Sequence, residues 1–229
     1  MISKIENDNL IEFSPLCIGR LKKSNSLLKV LPLVDTIHLD IMDNTFVKSE
    51  AFSIEEINNF DCDKPKHVHI MSKNLEHYIS KLKNVSSISF HYESTVYHNK
   101  ILEMIKKKNI KAGIVFKSET QINNEVKNII PKVDRVILMA VPPGYSGQKF
   151  IENTTNKIHE VRNLCANVHI AIDGGMNEQT MFEVTSAGAN SCVVCSVIIK
   201  SDNIKKKVIT LKEMCKKGSL EFLTNKNLL

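Results

Sequence analysis

Eight short apolar runs, each followed by a longer amphipathic stretch, set the tightest limit on what this chain can fold into. The runs cover residues 10–17, 36–41, 67–71, 87–90, 111–116, 135–139, 168–172 and 191–195. The stretches with helical spacing cover 21–31, 54–59, 74–83, 96–108, 119–129, 153–166, 178–186 and 203–217. Strand alternating with helix is the pattern of an α/β fold with a parallel sheet. Runs such as Cys192-Val-Val-Cys195 are apolar on both faces, as in parallel strands covered on each side. At 229 residues, eight such units fit a closed (β/α)8 TIM barrel. An open doubly wound sheet would want a glycine-rich turn after the first strand, and Ile18-Gly19-Arg20 does not supply one. No linker or low-complexity segment divides the chain. The expected organisation is therefore one barrel domain over 1–229, with an N-terminal extension at 1–9 and a C-terminal tail at 218–229.

Composition narrows the function classes. No run of about 18 apolar residues suggests a membrane span, and the polar first nine residues lack a secretory signal's apolar stretch. A cytoplasmic protein is expected. The net charge of +6 comes from lysines scattered along helix-like segments, which reads as solvated faces rather than a nucleic-acid surface. Six cysteines, at 17, 62, 165, 192, 195 and 215, are not needed as staples in a cytosolic chain of this length. Cys192 and Cys195 form a C-x-x-C, but within a strand-like run they face opposite sides, against a redox or zinc role.

In a barrel the active site gathers at the carboxyl ends of the strands. The second run carries His38 and Asp40 on one face, the third carries His69, and the seventh ends in Asp173. Two imidazoles and two carboxylates form a normal ligand set for Zn, Fe, Mn or Co. A single histidine in an apolar strand is more often a hydrogen-bonded core residue, but Asp40 and Asp173 both end very apolar strands and both need a partner. Glycine-rich turns follow the sixth and seventh runs, Gly144-Tyr145-Ser146-Gly147 and Asp173-Gly174-Gly175, and Cys195-Ser196 follows the eighth. Such turns also serve plain chain reversal; three on neighbouring strands suit a phosphate grip.

The segments Ser14-Pro15, His38-Leu-Asp40-Ile-Met42-Asp43, Phe46-Val47, His69-Ile-Met71, Phe90-His-Tyr-Glu93, Met139, Pro143-Gly-Tyr-Ser-Gly147-Gln148-Lys-Phe150, Asp173-Gly-Gly175 and Ala187-Gly-Ala-Asn190 leading to Ser196 resemble the ribulose-phosphate 3-epimerase family, in its order. The resemblance implies a ribulose-phosphate-binding type of barrel and a metal-dependent ketose-phosphate 3-epimerase. It implies one divalent ion on His38, Asp40, His69 and Asp173, with Asp40 and Asp173 as the acid/base pair. His69, Gly144, Tyr145, Ser146, Gly147, Gly174, Gly175, Cys195 and Ser196 would contact substrate or its phosphate. Met42, Met71, Met139 and Gly19 would line the site. The expected substrate is D-ribulose 5-phosphate; a six- or seven-carbon ketose phosphate, or an inactive sugar-phosphate-binding paralogue, are the alternatives. A homo-oligomer, dimer or hexamer, is implied, with no nucleic-acid or membrane partner.

Departures cluster at the mouth. The family's S-P-S-I-L-S becomes Ser14 to Gly19, placing Gly19 where a substrate-contacting serine is expected. Asn44 replaces a glycine, and asparagine tolerates a left-handed backbone. Lys48-Ser49 replace Pro-Asn, His67 replaces an Asp, Lys117-Ser-Glu-Thr120 replaces N-P-G-T, and Cys195 replaces a Gly beside Ser196. Retained chemistry is the resulting expectation, and these changes are what raise an altered substrate as the alternative.

Overall fold

The computed structural model describes residues 10–19, 21 and 24–226; the expected extension at 1–9 lies outside them. Eight parallel strands close into a barrel in sequence order, β1 (Leu10–Phe13), β2 (Thr36–Met42), β3 (Lys66–Met71), β4 (Ser87–His91), β5 (Lys111–Phe116), β6 (Arg135–Met139), β7 (His169–Asp173) and β8 (Ser191–Val194), with β1 pairing to β8. The helices are α1 (Asn25–Val30), α2 (Ile54–Asn59), α3 (Leu75–Lys81), α4 (His98–Lys106), α5 (Asn124–Lys127), α6 (Thr154–Leu164), α7 (Glu178–Ser186), α8 (Ser196–Ile199) and α9 (Ile204–Asn225).

Three departures from the sequence expectation have a clear physical cause. The first strand stops at Phe13 instead of running to Cys17, because Pro15 has no N–H to continue the ladder and opens a 3-10 turn capped by Ser14. The helix expected at 119–129 shrinks to α5: the Asn123 side chain accepts from Glu125 N and Val126 N and fixes a late start, and Pro131 ends the segment in a 3-10 turn. The tail expected from 218 is helical as far as Asn225. Gly218, Ser219, Phe222 and Leu223 are buried there, and Gly218 lets α9 lie against Thr185 and Phe182 of α7.

The two faces of the barrel strands carry different chemistry. Outward residues such as Ile37, Leu39, Ile41, Val68, Ile70, Ile170 and Ile172 join the large apolar cluster under the helices. Inward residues alternate with them, as the period of two requires. Val115, Ile137, Met139, Val141 and Ala171 form a smaller apolar patch inside. The rest of the lumen is polar, with His38, Asp40, His67, His69, Ser89, His91, Arg135 and Ser191 all buried. A barrel interior is ordinarily filled by branched aliphatics, so this polar filling marks the site.

Candidate active site at the barrel mouth

In-register pairing of β2 with β3 sets His38 beside His67, Asp40 beside His69 and Met42 beside Met71; β6 and β7 pair Met139 with Asp173. Along β2 and β3 the site is therefore built in tiers, His38 and His67 lowest, Asp40 and His69 next, Met42 and Met71 above, while Met139 stands level with Asp173. His38 Nε2 lies 3.4 Å from Asp40 Oδ1, 3.5 Å from Asp173 Oδ2 and 3.4 Å from His69 Nδ1. His69 Nδ1 lies 3.2 Å from Asp40 Oδ1 and 3.5 Å from Asp173 Oδ2. Four atoms on the corners of a tetrahedron, each about 2.0–2.1 Å from a central ion, stand roughly 3.3–3.4 Å apart. The separations fit that figure, so the side chains present suit a tetrahedral divalent ion.

The electrostatics agree with a site built to be neutralised. Burial disfavours a charged His38, yet the carboxylates of Asp40, Glu12 and Asp173 outweigh it and push its pKa up to about 10. Burial likewise opposes the charge on Asp40, and His38 and His69 overcome it, holding the carboxyl well below the usual range. His69 is raised against its burial by hydrogen bonds to Asp173 and Asp40. Ser14 Oγ donates to Asp40 Oδ2 at 2.8 Å, which leaves Oδ1 turned toward the imidazoles.

Above the carboxylates opens a cavity of about 250 Å³. Asp40 and Asp173 line it, with Met42, Met71 and Met139. Gly144, Tyr145, Ser146 and Gly147 from the loop after β6, Gly174 and Gly175 after β7, and Cys195 and Ser196 after β8 line it as well. His38 and His69 lie fully buried and are not part of this lining. Gly19 is not brought to the cavity either. It is exposed, and a Cβ there would meet nothing within 4 Å. Leu16 and Ser14 line the wall instead, while Gly19 caps the end of the 3-10 turn that Ser14 opens.

The departures have clear placements. Asn44 adopts φ 62°, so the left-handed turn survives the loss of glycine. Its loop is tied to the one after β6: Ser49 Oγ donates to Gly144 O at 3.1 Å, and Tyr145 Oη donates to Lys48 O at 3.1 Å. Asp43 pins the same region, accepting from Thr45, Ser72, Asn74 and Tyr78. Lys117 Nζ sits 4.7 Å from the Phe46 ring centroid. Cys195 is joined to Cys17 in a disulfide with Cα atoms 6.2 Å apart, contrary to the expectation that no staple is needed. It ties the loops following the first and last strands, across the barrel's closing seam.

Sequence reasoning did not single out His91 and Glu93 as site residues. His69 Nε2 is 3.0 Å from His91 Nε2, and His91 Nδ1 is 3.3 Å from Glu93 Oε2. Their i, i+2 spacing at the end of β4 was the available signal.

Fold and site together define a (β/α)8 barrel with a cavity at the carboxyl ends of its strands. Solved structures share that fold: KGPDC from Streptococcus mutans aligns over 91% of this chain and 98% of its own, with TM-score 0.67 and 13% identity. Orotidine 5'-monophosphate decarboxylase from Sulfolobus solfataricus aligns over 92% and 99%, with TM-score 0.67 and 12% identity. The particular family follows from the sequence comparisons. The model of the Ribulose-phosphate 3 epimerase family matches residues 11–199, and the chain belongs to that family. Ribulose-phosphate 3-epimerase of Buchnera aphidicola subsp. Acyrthosiphon pisum (strain APS) is 32% identical over 180 residues, 75% of this chain and 78% of the relative. That of Escherichia coli (strain K12) is 30% identical over 196 residues, 82% and 87% respectively. The protein is thus an isomerase-class enzyme, an epimerase acting on a carbohydrate phosphate. Among the described residues no helix is long and apolar enough to cross a membrane.

Proposed function

We propose that the enzyme inverts C3 of a ketose phosphate, interconverting D-ribulose 5-phosphate and D-xylulose 5-phosphate. The observation that carries this reading is the set of four ligand atoms, within 4.8 Å of one another and with each imidazole nitrogen 3.2–3.5 Å from the other three atoms, beside a cavity lined by glycine-rich turns. His38, Asp40, His69 and Asp173 would hold one divalent ion (Zn, Fe, Mn or Co), which supplies Lewis-acid stabilisation of charge on the substrate oxygens.

The remaining work falls to the chain. The C3 hydrogen is acidic because C2 is a carbonyl. One of Asp40 and Asp173 takes that proton as base, and the electron pair moves onto the C2 oxygen. The other returns a proton to the opposite face of C3, and the pair exchanges roles in the reverse reaction. They come from β2 and β7, on different sides of the lumen, which suits a two-faced transfer. Met42, Met71 and Met139 exclude water that would protonate the intermediate without facial control. The turns at Gly144–Gly147 and Gly174–Gly175, with Ser196, would grip the phosphate. The same reading carries a cytoplasmic homo-oligomer, for which sedimentation in solution is the check.

A panel of ketose 5-, 6- and 7-phosphates tests the substrate, and exchange at C3 in heavy water tests the two-base scheme. Asp40→Asn and Asp173→Asn should each abolish inversion while one still exchanges the C3 proton of a single epimer. Preference for a six- or seven-carbon sugar would overturn the pentose assignment. Inversion surviving in both variants would overturn the acid/base pair.

A further inference from the structure

Below the four-residue set, the lumen holds a second buried cluster that the proposed chemistry leaves unused. Glu12 on β1 is 1% exposed, and its Oε2 stands 3.5 Å from His38 Nδ1 and 3.4 Å from His67 Nδ1. Its Oε1 accepts from Arg135 Nη2 and Ser191 Oγ, each at 2.5 Å. Gly113 makes room for that arginine, since a Cβ there would stand 2.6 Å from Arg135 Cγ. A carboxylate taken this far from water persists only when paired and hydrogen-bonded. Arg135 and Ser191 fix Glu12 in one place and leave Oε2 for the histidines.

The two nitrogens of His38 face different neighbourhoods. Nε2 looks into the four-atom set, and Nδ1 looks down at Glu12 and, at 3.3 Å, at His67 Nδ1. A neutral imidazole that offers Nε2 to a cation carries its proton on Nδ1, and that N–H needs an acceptor. Glu12 Oε2 accepts in every state, whereas His67 Nδ1 accepts only in the tautomer that carries its proton on Nε2, toward Ser89 Oγ at 2.9 Å.

We infer that Glu12 is the positioning residue of His38, the carboxylate that fixes the ring and its proton so that Nε2 faces the metal set. This rests on the metal-centre reading above. Arg135 and Ser191 anchor Glu12 in turn. The carboxylate reaches His38 from β1, a strand that supplies none of the four ligands.

The test is ion affinity of the full-length protein, read by competition of Zn²⁺ with a chromophoric chelator, with the visible spectrum of bound Co²⁺ as a second readout. Glu12→Gln should weaken Zn²⁺ binding by about tenfold to a hundredfold and alter the Co²⁺ bands. Adding His67→Asp to that variant should recover affinity, because position 67 is the register partner of His38 and returns a carboxylate to the same nitrogen. Glu12→Gln leaves Arg135 unpaired and is at risk of misfolding. Glu12→Gln with Arg135→Met removes both charges and should keep the fold by circular dichroism while still binding Zn²⁺ weakly. A folded variant lacking Glu12 that binds Zn²⁺ within about twofold of wild type overturns this inference alone, even if its melting temperature falls. Wild-type protein that takes up neither ion overturns the metal reading as well.

Discussion

Two glycines with positive φ, Gly175 at +70° and Gly19 at +89°, separate the cost of backbone strain from the cost of crowding. An L-residue held in a sparsely populated positive-φ conformation loses roughly 1–3 kcal/mol. At Gly19 that is the whole cost, because an added Cβ meets nothing within 4 Å. At Gly175 the same Cβ would stand 2.7 Å from Phe150 Cα and 2.8 Å from Phe150 N, backbone that cannot swing aside. Overpacking of this kind adds roughly 1–3 kcal/mol. Gly19→Ala should therefore cost about 1–3 kcal/mol and Gly175→Ala about 2–6 kcal/mol, read as shifts of the urea unfolding midpoint at constant slope. Gly175 lines the cavity and Gly19 does not. A hydrogen bond to a charged group contributes about 1.5–3 kcal/mol, so moving the Gly175 turn should raise KM about tenfold to a hundredfold with kcat little changed. Gly19→Ala should leave KM alone. Equal stability losses would refute the Phe150 contact as the constraint, and an equal rise in KM would put Gly19 back in the site.

Three further outcomes follow from the same geometry. His38, pushed up to about 10 against its burial by the neighbouring carboxylates, is protonated at neutral pH, so ion uptake must release that proton. Calorimetric titration with Zn²⁺ at about pH 7.5, in buffers of different ionisation enthalpy, should show about one proton released per ion or more; no release would contradict it. Burial opposes the charge on Glu93, but hydrogen bonds from His91, Thr120 and the Lys117 backbone outweigh it and hold the carboxyl at about 2. With the folded pKa depressed below the ordinary 4.5, this contribution is present above about pH 4.5 and lost as pH falls toward 2. Glu93→Gln should flatten the acid limb of the stability profile between those values, and an unchanged limb would remove Glu93 from the account. Thiol titration of the denatured protein should find four reactive cysteines, Cys62, Cys165, Cys192 and Cys215, and all six after reduction; six from the start would refute the Cys17–Cys195 bond.

Much of this architecture was legible because strand periodicity is local. The runs at 111–116 and 135–139 and the helices at 54–59 and 178–186 coincide with the structure, since an apolar run and a helical spacing are both set within a few residues. His38, Asp40, His69 and Asp173 were legible as a group because their strands are short and a barrel delivers their ends to one mouth. Glu12 was not. A lone carboxylate in Leu10-Ile-Glu-Phe13 needs a buried partner, but naming Arg135, 123 residues away, requires the closed barrel. Gly19 lies outside the cavity lining because it caps the end of the 3-10 turn that Ser14 opens, and spacing alone does not reveal that turn. Residues 218–225 lack a strong pattern of their own and become helical through packing on α7.

The central claim is that one ion, held by two imidazoles and two carboxylates, is needed for proton transfer at C3. The most direct measurement strips the protein with chelator, restores a divalent ion in steps, and follows inversion of D-ribulose 5-phosphate together with bound ion per chain. The account predicts that activity rises linearly and saturates at one equivalent, and that His69→Ala removes both binding and turnover. Full activity in protein shown to be ion-free, or saturation with ion at all four ligands without any inversion of a ketose phosphate, would contradict it.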